Sequence, residues 1–367
     1  MSKPKLNHLL LLALLALLSN LLVWLPFGLG LGERMLTIFK NYDGPNYIII
    51  AKCWYQKNCI SQTFSLPLSA EYYPAHLPGY PLTIKIFDFL SSGPWAMLMA
   101  TTAFTVLATI MFYLFIVKFK YSQNPFFLTI LFLILPARWL VVHAVGSPEP
   151  LFIFAILASL YFFKSEKIFL ACLFGILAQI TKTPGILLFA TYGLILANRF
   201  LKKKKIAWQA WPLLLIPFSV FFVFLFYQIQ TGDFLAYFHS GDNFHLVFPP
   251  YQSFISSRSW LGSIWTEDMV WQYLIGGLAV IYLIKQKYYD LATFAGIFFA
   301  ATLFVAHRDL ARYSLPIAPF ALIAFDKFLQ KKEFKIALLI ILPAIYLYAI
   351  NFILGNTAPV ADWAPYL

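Results

Sequence analysis

Residues 6–31 read LNHLLLLALLALLSNLLVWLPFGLGL, an apolar run long enough to cross a lipid bilayer as one α-helix. Lys3 and Lys5 precede the run, as they would in a signal peptide. The run is longer than the apolar part of a signal peptide, however, and no clean cleavage motif of small residues follows it. We therefore interpret residues 6–31 as a retained first transmembrane helix.

Composition predicts that more helices of this kind follow. Of the 367 residues, 61% are hydrophobic and only 11% are charged, whereas soluble domains carry about 25% charged residues. We predict an all-α polytopic membrane protein that forms a single integral-membrane domain, residues 1–367. The apolar runs predict about eleven spans, within a range of roughly 9–12, at residues 6–31, 94–117, 125–142, 148–163, 168–182, 185–199, 208–229, 268–284, 290–306, 313–328 and 334–354.

The Lys and Arg residues predict how these helices are oriented. When successive loops are placed on alternate sides, one side receives short loops that carry Lys3, Lys5, Lys118, Lys120, Lys164, Lys167, Arg199, Lys202–Lys205, Lys285, Lys287, Lys327, Lys331, Lys332 and Lys335. Because short basic loops face the cytoplasm, the N-terminus is expected inside and the C-terminus outside. The net charge of +12 is therefore read as a sign of orientation, and no nucleic-acid partner is expected.

The opposite, extracytoplasmic side receives two long loops, residues 32–93 and 230–267. In the first loop, residues 48–54 and 84–90 mix apolar, aromatic and charged positions, which is typical of helices that lie in the membrane interface. Most of the unusual polar residues also fall on this side: Arg34, Asp43, Glu71, His76, His143, Glu149, Lys182, Asp233, Asp242, His245, Arg258, His307, Arg308, Asp309 and Arg312. Polar groups gathered at one face of a membrane protein indicate a functional site, although some of them are expected to be ordinary solvated loop ends.

The turn that follows the first helix is the most distinctive part of the first loop. Residues 41–47 read NYDGPNY, in which Gly44 and Pro45 favour a turn directly after Asp43. Such a turn can hold the carboxylate at the membrane surface, between the aromatic rings of Tyr42 and Tyr47. The alternative is that Asp43 caps the helix that follows.

Several short motifs resemble the GT-C superfamily of membrane glycosyltransferases. The motifs, in chain order, are 42–47 (YDGPNY), 72–74 (YYP), 79–82 (GYPL), 146–152 (GSPEPLF), 181–185 (TKTPG) and 311–316 (ARYSLP). They are similar to the signatures of GPI mannosyltransferase II-like proteins and their bacterial relatives. Pro45, Asn46 and Thr183 depart from those signatures, which leaves the sugar open.

The resemblance implies an inverting transfer of a sugar, a mannose-like hexose, from a polyprenyl-phosphate donor. The acceptor is a hydroxyl of a lipid, glycan or protein on the extracytoplasmic side. A bacterial or archaeal plasma membrane is the expected location, or the endoplasmic reticulum in a eukaryote.

Roles for individual residues follow from this chemistry. A general base must take the hydroxyl proton, and Asp43 suits that role. Glu71 is expected to be the second acid. Cations stabilise the departing phosphate by charge-assisted hydrogen bonds, for which the candidates are Lys182, Arg308, Arg312 and Arg34. Groups that could orient the substrates are Glu149, His76, His143 and Tyr42. Each has a plainer alternative: a solvated side chain, a snorkelling lysine, or an ion pair of an arginine with Asp309 or Glu149.

Neither a cofactor nor a metal is required by any motif. Asp43 and Glu71 could share a divalent cation, Mg²⁺ or Mn²⁺, as some relatives do. Cys53 and Cys59 could form a disulfide if the first loop is extracytoplasmic.

Two other classes of protein remain open. A transporter or lipid flippase would place ionisable groups near the middle of its helices, whereas here they collect at one face. A membrane O-acyltransferase would need a histidine deep in a helix as its base, and His143 and His307 lie at predicted helix ends.

Overall fold

The computed structural model describes residues 5–41, 43–65, 68–204, 208–241, 246–254 and 266–367. Six of the polar residues singled out above, Lys3, Tyr42, Lys205, Asp242, His245 and Arg258, lie outside the described residues. The described chain is helical and contains two isolated β-bridges, Asn41 with Thr357 and Leu246 with Val305. The α-helices are α1 (Leu6–Gly28), α2 (Met35–Phe39), α3 (Gly44–Cys53), α4 (Lys57–Thr63), α5 (Gly79–Phe87), α6 (Gly93–Phe119), α7 (Pro125–Ile134), α8 (Ala137–Ala144), α9 (Glu149–Lys164), α10 (Ile168–Thr181), α11 (Ile186–Lys203), α12 (Leu215–Thr231), α13 (Ala236–His239), α14 (Thr266–Lys285), α15 (Tyr289–Thr302), α16 (Leu310–Tyr313), α17 (Ala318–Ala324), α18 (Asp326–Leu329) and α19 (Lys332–Gly355).

Six segments in the described chain are long and apolar enough to cross a membrane: Leu6–Gly28, Gly93–Phe119, Thr183–Lys202, Trp208–Thr231, Thr266–Lys285 and Lys332–Gly355. A seventh span results if α7 and α8, which meet at an angle of 72°, are counted as one broken helix. The prediction of an all-α multi-pass protein is confirmed. The count of about eleven is not shown, because the other predicted spans form shorter helices such as α10 and α15, with 14 residues each.

The buried centre of the protein is α9, which forms a hairpin with the partly exposed α10. Helix α9 is apolar on all sides, and most of its side chains are fully buried. Ser159 in its middle donates a hydrogen bond to the carbonyl oxygen of Ala171 at 2.6 Å, which ties the two helices together. Since α9 rises 1.5 Å per residue, its two ends lie about 22 Å apart. Glu149 begins the helix at one end, and Lys164, paired with Asp290 at 2.9 Å, ends it at the other.

The first long loop folds into α2 to α5 against this centre. Helix α3 is found where an interfacial helix was predicted, but Ile48, Ile49 and Ile50 on successive sides of it have no exposed surface. An interfacial helix keeps one face in water, so α3 is a buried helix instead. Helix α5 fits the prediction better, because it exposes Leu82 and Ile86.

Two links hold the first loop in place. Cys53 and Cys59 form a disulfide, as the sequence allowed. The chain end also folds back onto this loop, since Nζ of Lys52 donates to the carbonyl oxygens of Pro365 and Leu367, both at 2.9 Å. The C-terminal residues therefore lie on the same side of the helices as the first loop.

Candidate active site

Asp43 lies in a turn between α2 and α3, as predicted. The turn is closed by the amide of Gly44, which donates to the carbonyl oxygen of Asn41 at 2.9 Å. The Asp43 side chain makes no capping hydrogen bond to α3, so its reading as a helix cap is wrong. Its carboxylate instead accepts a hydrogen bond from Nη1 of Arg312 at 2.9 Å, and Nε2 of His76 lies 3.8 Å from the other oxygen.

Arg312 connects Asp43 with a second carboxylate, that of Glu149. Nε of Arg312 donates to Oε1 of Glu149 at 2.7 Å, and Nζ of Lys182 donates to the same oxygen at 2.6 Å. We call Asp43, Arg312, Glu149 and Lys182 the ion cluster. The Glu149 side chain is only 2% exposed, whereas the two cations are 18% and 19% exposed. The cluster therefore buries one acid completely and leaves part of each cation accessible.

Helix ends bring these side chains together. Glu149 begins α9, where Pro148 and Pro150 favour a helix start. Lys182 directly follows α10 in an extended conformation. Pro184 favours the end of the helix here, because it has no N–H to donate and its ring clashes with the carbonyl four residues earlier. Since α9 and α10 are antiparallel neighbours, the start of one and the end of the other meet at the same end of the hairpin.

Gly79 allows the predicted GYPL segment to approach Lys182 closely. A Cβ atom at this position would stand 2.6 Å from Oγ1 of Thr181 and 2.8 Å from the carbonyl oxygen of Ile180. Only a glycine permits such an approach without displacing the backbone. The following residue, Tyr80, accepts a hydrogen bond from the amide of Ser147 at 3.0 Å, and the Ser147 hydroxyl in turn donates to Glu149.

Aromatic rings surround the Asp43 side of the cluster. The rings of Tyr47 and Tyr72 each meet the His76 ring edge to face, with centroids 5.0 and 5.4 Å apart. Tyr47 also meets Tyr80 in the same way at 5.0 Å. His76 is thus held beside Asp43 by two tyrosines of the first loop, and Tyr80 packs against one of them.

The electrostatics of the cluster keep Asp43 ionised. Burial raises the pKa of the Asp43 carboxyl, but the Arg312 guanidinium and the neighbouring His76 imidazole lower it by more, so that the pKa falls from 3.8 to about 2. The cluster contains two carboxylates and two cations. It is therefore close to neutral, and its charges are paired with one another.

Other residues predicted for the site lie elsewhere. Glu71 is exposed and pairs with Lys57 at 3.2 Å, so the second acid beside Asp43 is Glu149. Arg34 and Arg308 are exposed and make no ion pair within the described chain. His143 is fully buried and bonds through both ring nitrogens, to Asn20 at 2.6 Å and to the carbonyl oxygen of Leu133 at 3.0 Å.

Arg138 is the residue that the sequence interpretation missed. It lies just after the bend between α7 and α8, inside what was predicted to be one uninterrupted span. Nη2 of Arg138 pairs with Asp309 at 2.5 Å, and its guanidinium stacks on Phe352 with 3.6 Å to the ring centroid. The combination of Pro136 with an arginine two residues later was the signal for a broken span, because proline interrupts helical hydrogen bonding.

Two cavities adjoin these residues. A small one of about 20 Å³ is lined by Asn41, Asp43, Arg138, Ser147, Asp309 and Arg312, among others. A much larger apolar groove of about 950 Å³ runs along α14 and α17. It begins at Ala311 and Ser314, beside Arg312, and reaches Lys285, Lys327 and Lys331 at the end of the protein that holds the Lys164–Asp290 pair.

The metal site considered from the sequence is not formed. Glu71 is at the surface with Lys57, whereas Asp43 is paired with Arg312, so these two acids do not share a ligand position. Within the described residues, no group of three or more His, Cys, Asp or Glu side chains is arranged to hold a metal ion.

Comparison with known proteins adds no identity to this geometry. The chain matches no protein family, and no curated protein matches it at a significant level. The fold and the ion cluster therefore carry the functional argument by themselves.

Proposed function

We propose that this protein is an integral-membrane glycosyltransferase that uses a polyprenyl-phosphate sugar. The observation that carries the proposal is the ion cluster, in which a carboxylate at a loop turn shares an arginine with a buried glutamate beside a long apolar groove. The reaction needs a base, cations for a phosphate and room for a lipid chain, and these three features are adjacent here.

In this proposal, Asp43 takes the proton of the acceptor hydroxyl as that oxygen attacks the anomeric carbon. The new C–O bond forms on one face while the bond from carbon to phosphate oxygen breaks on the other, which inverts the configuration. The polyprenyl phosphate leaves as an anion, so it needs no proton from the protein. Arg312 and Lys182 stabilise its charge by hydrogen bonds.

Glu149 acts as a positioning residue. It holds the Arg312 and Lys182 side chains at 2.7 and 2.6 Å while it is itself buried. A donor phosphate that binds to Arg312 competes with Asp43 for the guanidinium. Donor binding therefore weakens the interaction that lowers the pKa of Asp43, and the carboxylate becomes a stronger base when the donor is present.

The apolar groove supplies the proposed place for the polyprenyl chain. On α14 it extends from Gln272 to Lys285, about 20 Å at the rise of an α-helix, and it opens beside the arginine that binds the phosphate. The sugar is proposed to be a mannose-like hexose and the acceptor a lipid, glycan or protein, on the resemblance alone.

The site end is proposed to be extracytoplasmic, with about eleven membrane-crossing segments once the shorter helices are included. Two features support this side. The Cys53–Cys59 disulfide lies in the first loop and is typical of an oxidising compartment, and the lysine-rich loops lie at the other end.

The direct test is turnover with a defined donor. Purified protein is given a panel of polyprenyl-phosphate sugars, and release of polyprenyl phosphate is measured. Asp43→Asn should reduce release by about a hundredfold or more, since general-base catalysis contributes roughly 10²–10⁴-fold, while Glu71→Gln is the control and should act like wild type. Turnover by Asp43→Asn at the wild-type rate would refute the role of Asp43.

One observation favours a lipid flippase as the second candidate. The groove runs from Ala311 and Ser314, which flank Arg312 in the sequence, to the lysines at the opposite end of the protein, as a path for an anionic lipid head group would. The same purified protein, reconstituted in vesicles with a labelled polyprenyl phosphate, separates the two functions: a flippase moves the label across the bilayer without breaking the sugar–phosphate bond.

A further inference from the structure

The small cavity behind Asp43 contains hydrogen-bond donors without partners. Nε and Nη1 of Arg138 have no hydrogen-bond partner in the described chain, and neither has Nδ2 of Asn41. Both residues line this cavity, and both are more than nine-tenths buried, at 7% and 5% exposure. Buried polar groups are nearly always hydrogen-bonded, so these donors require an acceptor that the described chain does not supply.

The chemistry of the donors limits what that ligand can be. A guanidinium and an amide NH₂ group offer only N–H donors toward the cavity, and Nε and Nη1 carry more than half of the donors of an arginine. Asp309 accepts from Nη2 of Arg138 but leaves the other two nitrogens unpaired. The carboxylates of Asp43 and Asp309 also line the cavity, but each is already paired with an arginine. The unpaired donors therefore suit an oxygen that accepts several hydrogen bonds, such as that of a phosphate or a carboxylate.

The location joins this cavity to the ion cluster. Asp43 and Arg312 line it together with Arg138, whereas Glu149 and Lys182 do not. An oxyanion held by Arg138 and Asn41 would thus lie on the Asp43 side of Arg312, away from the lysine that is proposed to bind the donor phosphate.

We propose that Arg138 and Asn41 form an oxyanion subsite next to Asp43, which binds a phosphate or carboxylate group of a substrate. At about 20 Å³ the cavity admits one water molecule in the present conformation. Occupation by an oxyanion requires that Asp43 or Asn41 moves outward, which couples the subsite to the general base.

Binding of inorganic phosphate tests the subsite without any turnover. The thermal unfolding midpoint of the purified protein is measured against phosphate concentration, with chloride at matched ionic strength. Wild type should be stabilised by phosphate. Asn41→Asp places a carboxylate beside Arg138 without changing the side-chain shape. It should weaken phosphate binding about tenfold or more, because the new negative charge repels the anion and the NH₂ donor is lost.

Two further variants separate binding from folding. Arg138→Lys keeps the charge that pairs with Asp309 but removes Nε and Nη1, and it should also lose the response to phosphate. Asn58→Asp makes the same change as Asn41→Asp at an exposed position of α4, and it should keep the wild-type response. A cavity that holds only water would be revealed if wild type showed no response to phosphate, or if Asn41→Asp kept it, and either result would overturn the proposal.

The source of the oxyanion is assigned by kinetics, and this step rests on the proposed function. If the group belongs to the donor, Asn41→Asp raises KM for the polyprenyl-phosphate sugar; if it belongs to an anionic acceptor, KM for the acceptor rises instead. The two proposals fail separately. Phosphate binding that depends on Asn41 supports the subsite even when no donor is turned over, and turnover without that binding supports only the glycosyltransferase.

Discussion

Glu149 and Lys164 lie at the two ends of helix α9, and their charges are handled differently. At one end, Glu149 is 2% exposed and is shared by Arg312 and Lys182. At the other end, Lys164 and Asp290 form an ion pair at 2.9 Å with 19% and 25% exposure. A partly solvated ion pair contributes little to the free energy of unfolding. A buried carboxylate that two cations share contributes more to it, in the sense that its removal leaves charges buried without a partner.

The two ends of α9 are therefore suited to different roles. The lysines at the Lys164 end can stay hydrated, and the positive-inside rule uses such lysines to predict the orientation of a chain in a membrane. At the Glu149 end, Arg312 and Lys182 are held in place by their ion pairs with the buried Glu149 carboxylate. Two cations that are already oriented in this way are suited to bind an anionic ligand, because little side-chain freedom is lost on binding.

The largest expected effect comes from neutralising the buried acid. Glu149→Gln removes the buried charge that Arg312 and Lys182 share, so that Lys182 loses its ion pair and Arg312 retains only Asp43. We expect a loss of about 3–5 kcal/mol in the free energy of unfolding. Asp290→Asn at the other end of α9 should cost less than about 1 kcal/mol. Denaturant unfolding in detergent measures both, and equal losses would contradict the distinction between the two ends.

A steric change at the same end should be the next largest. Gly79→Ala places a Cβ atom against the backbone of Ile180, which should separate α5 from α10 and cost up to about 3 kcal/mol. Gly193→Ala in α11 is the control, since nothing lies within 4 Å of the added atom. The control should be neutral or slightly stabilising because alanine favours helix. If both variants unfolded alike, the close approach at Gly79 would not matter for stability.

The pKa of Asp43 predicts a pH dependence of stability. Because its folded pKa is lowered from 3.8 to about 2, ionised Asp43 stabilises the protein above pH 4, and this contribution is lost as the pH falls through 2. Its size is about 2 kcal/mol. Thermal unfolding between pH 4 and pH 2 should therefore decline more steeply for wild type than for Asp43→Asn, and parallel curves would exclude the ion pair with Arg312.

The smallest effect is expected for Glu71. It was predicted to be a second acid, yet it pairs with Lys57 at the surface with 56% of its side chain exposed. Glu71→Gln should change the free energy of unfolding by less than about 1 kcal/mol and leave sugar transfer unchanged. A loss of turnover in this variant would restore Glu71 to the site and would weaken the assignment of Glu149.

The sequence was informative where the signal is local. The apolar runs predicted the helices, and the turn at Asp43 was predicted from Gly44 and Pro45, which act on neighbouring residues. The exposed Arg34 and Arg308 were indistinguishable from Arg312 at this level, because all three are arginines near predicted helix ends. What separates them is burial, and burial depends on which helices pack together.

The sequence by itself predicted three features: the helical class, a carboxylate after the first helix, and polar residues collected on one side of the chain. These features can be predicted because hydrophobic runs, turn residues and charge act over short distances. The tertiary structure alone decided that Glu149 replaces Glu71 as the partner acid and that Arg138 faces the same cavity as Asp43. Arg312 is separated from Glu149 by 163 residues and from Asp43 by 269. Contacts over such separations arise only when helices pack, and the packing of α8, α9 and α16 is set by side chains along their whole length.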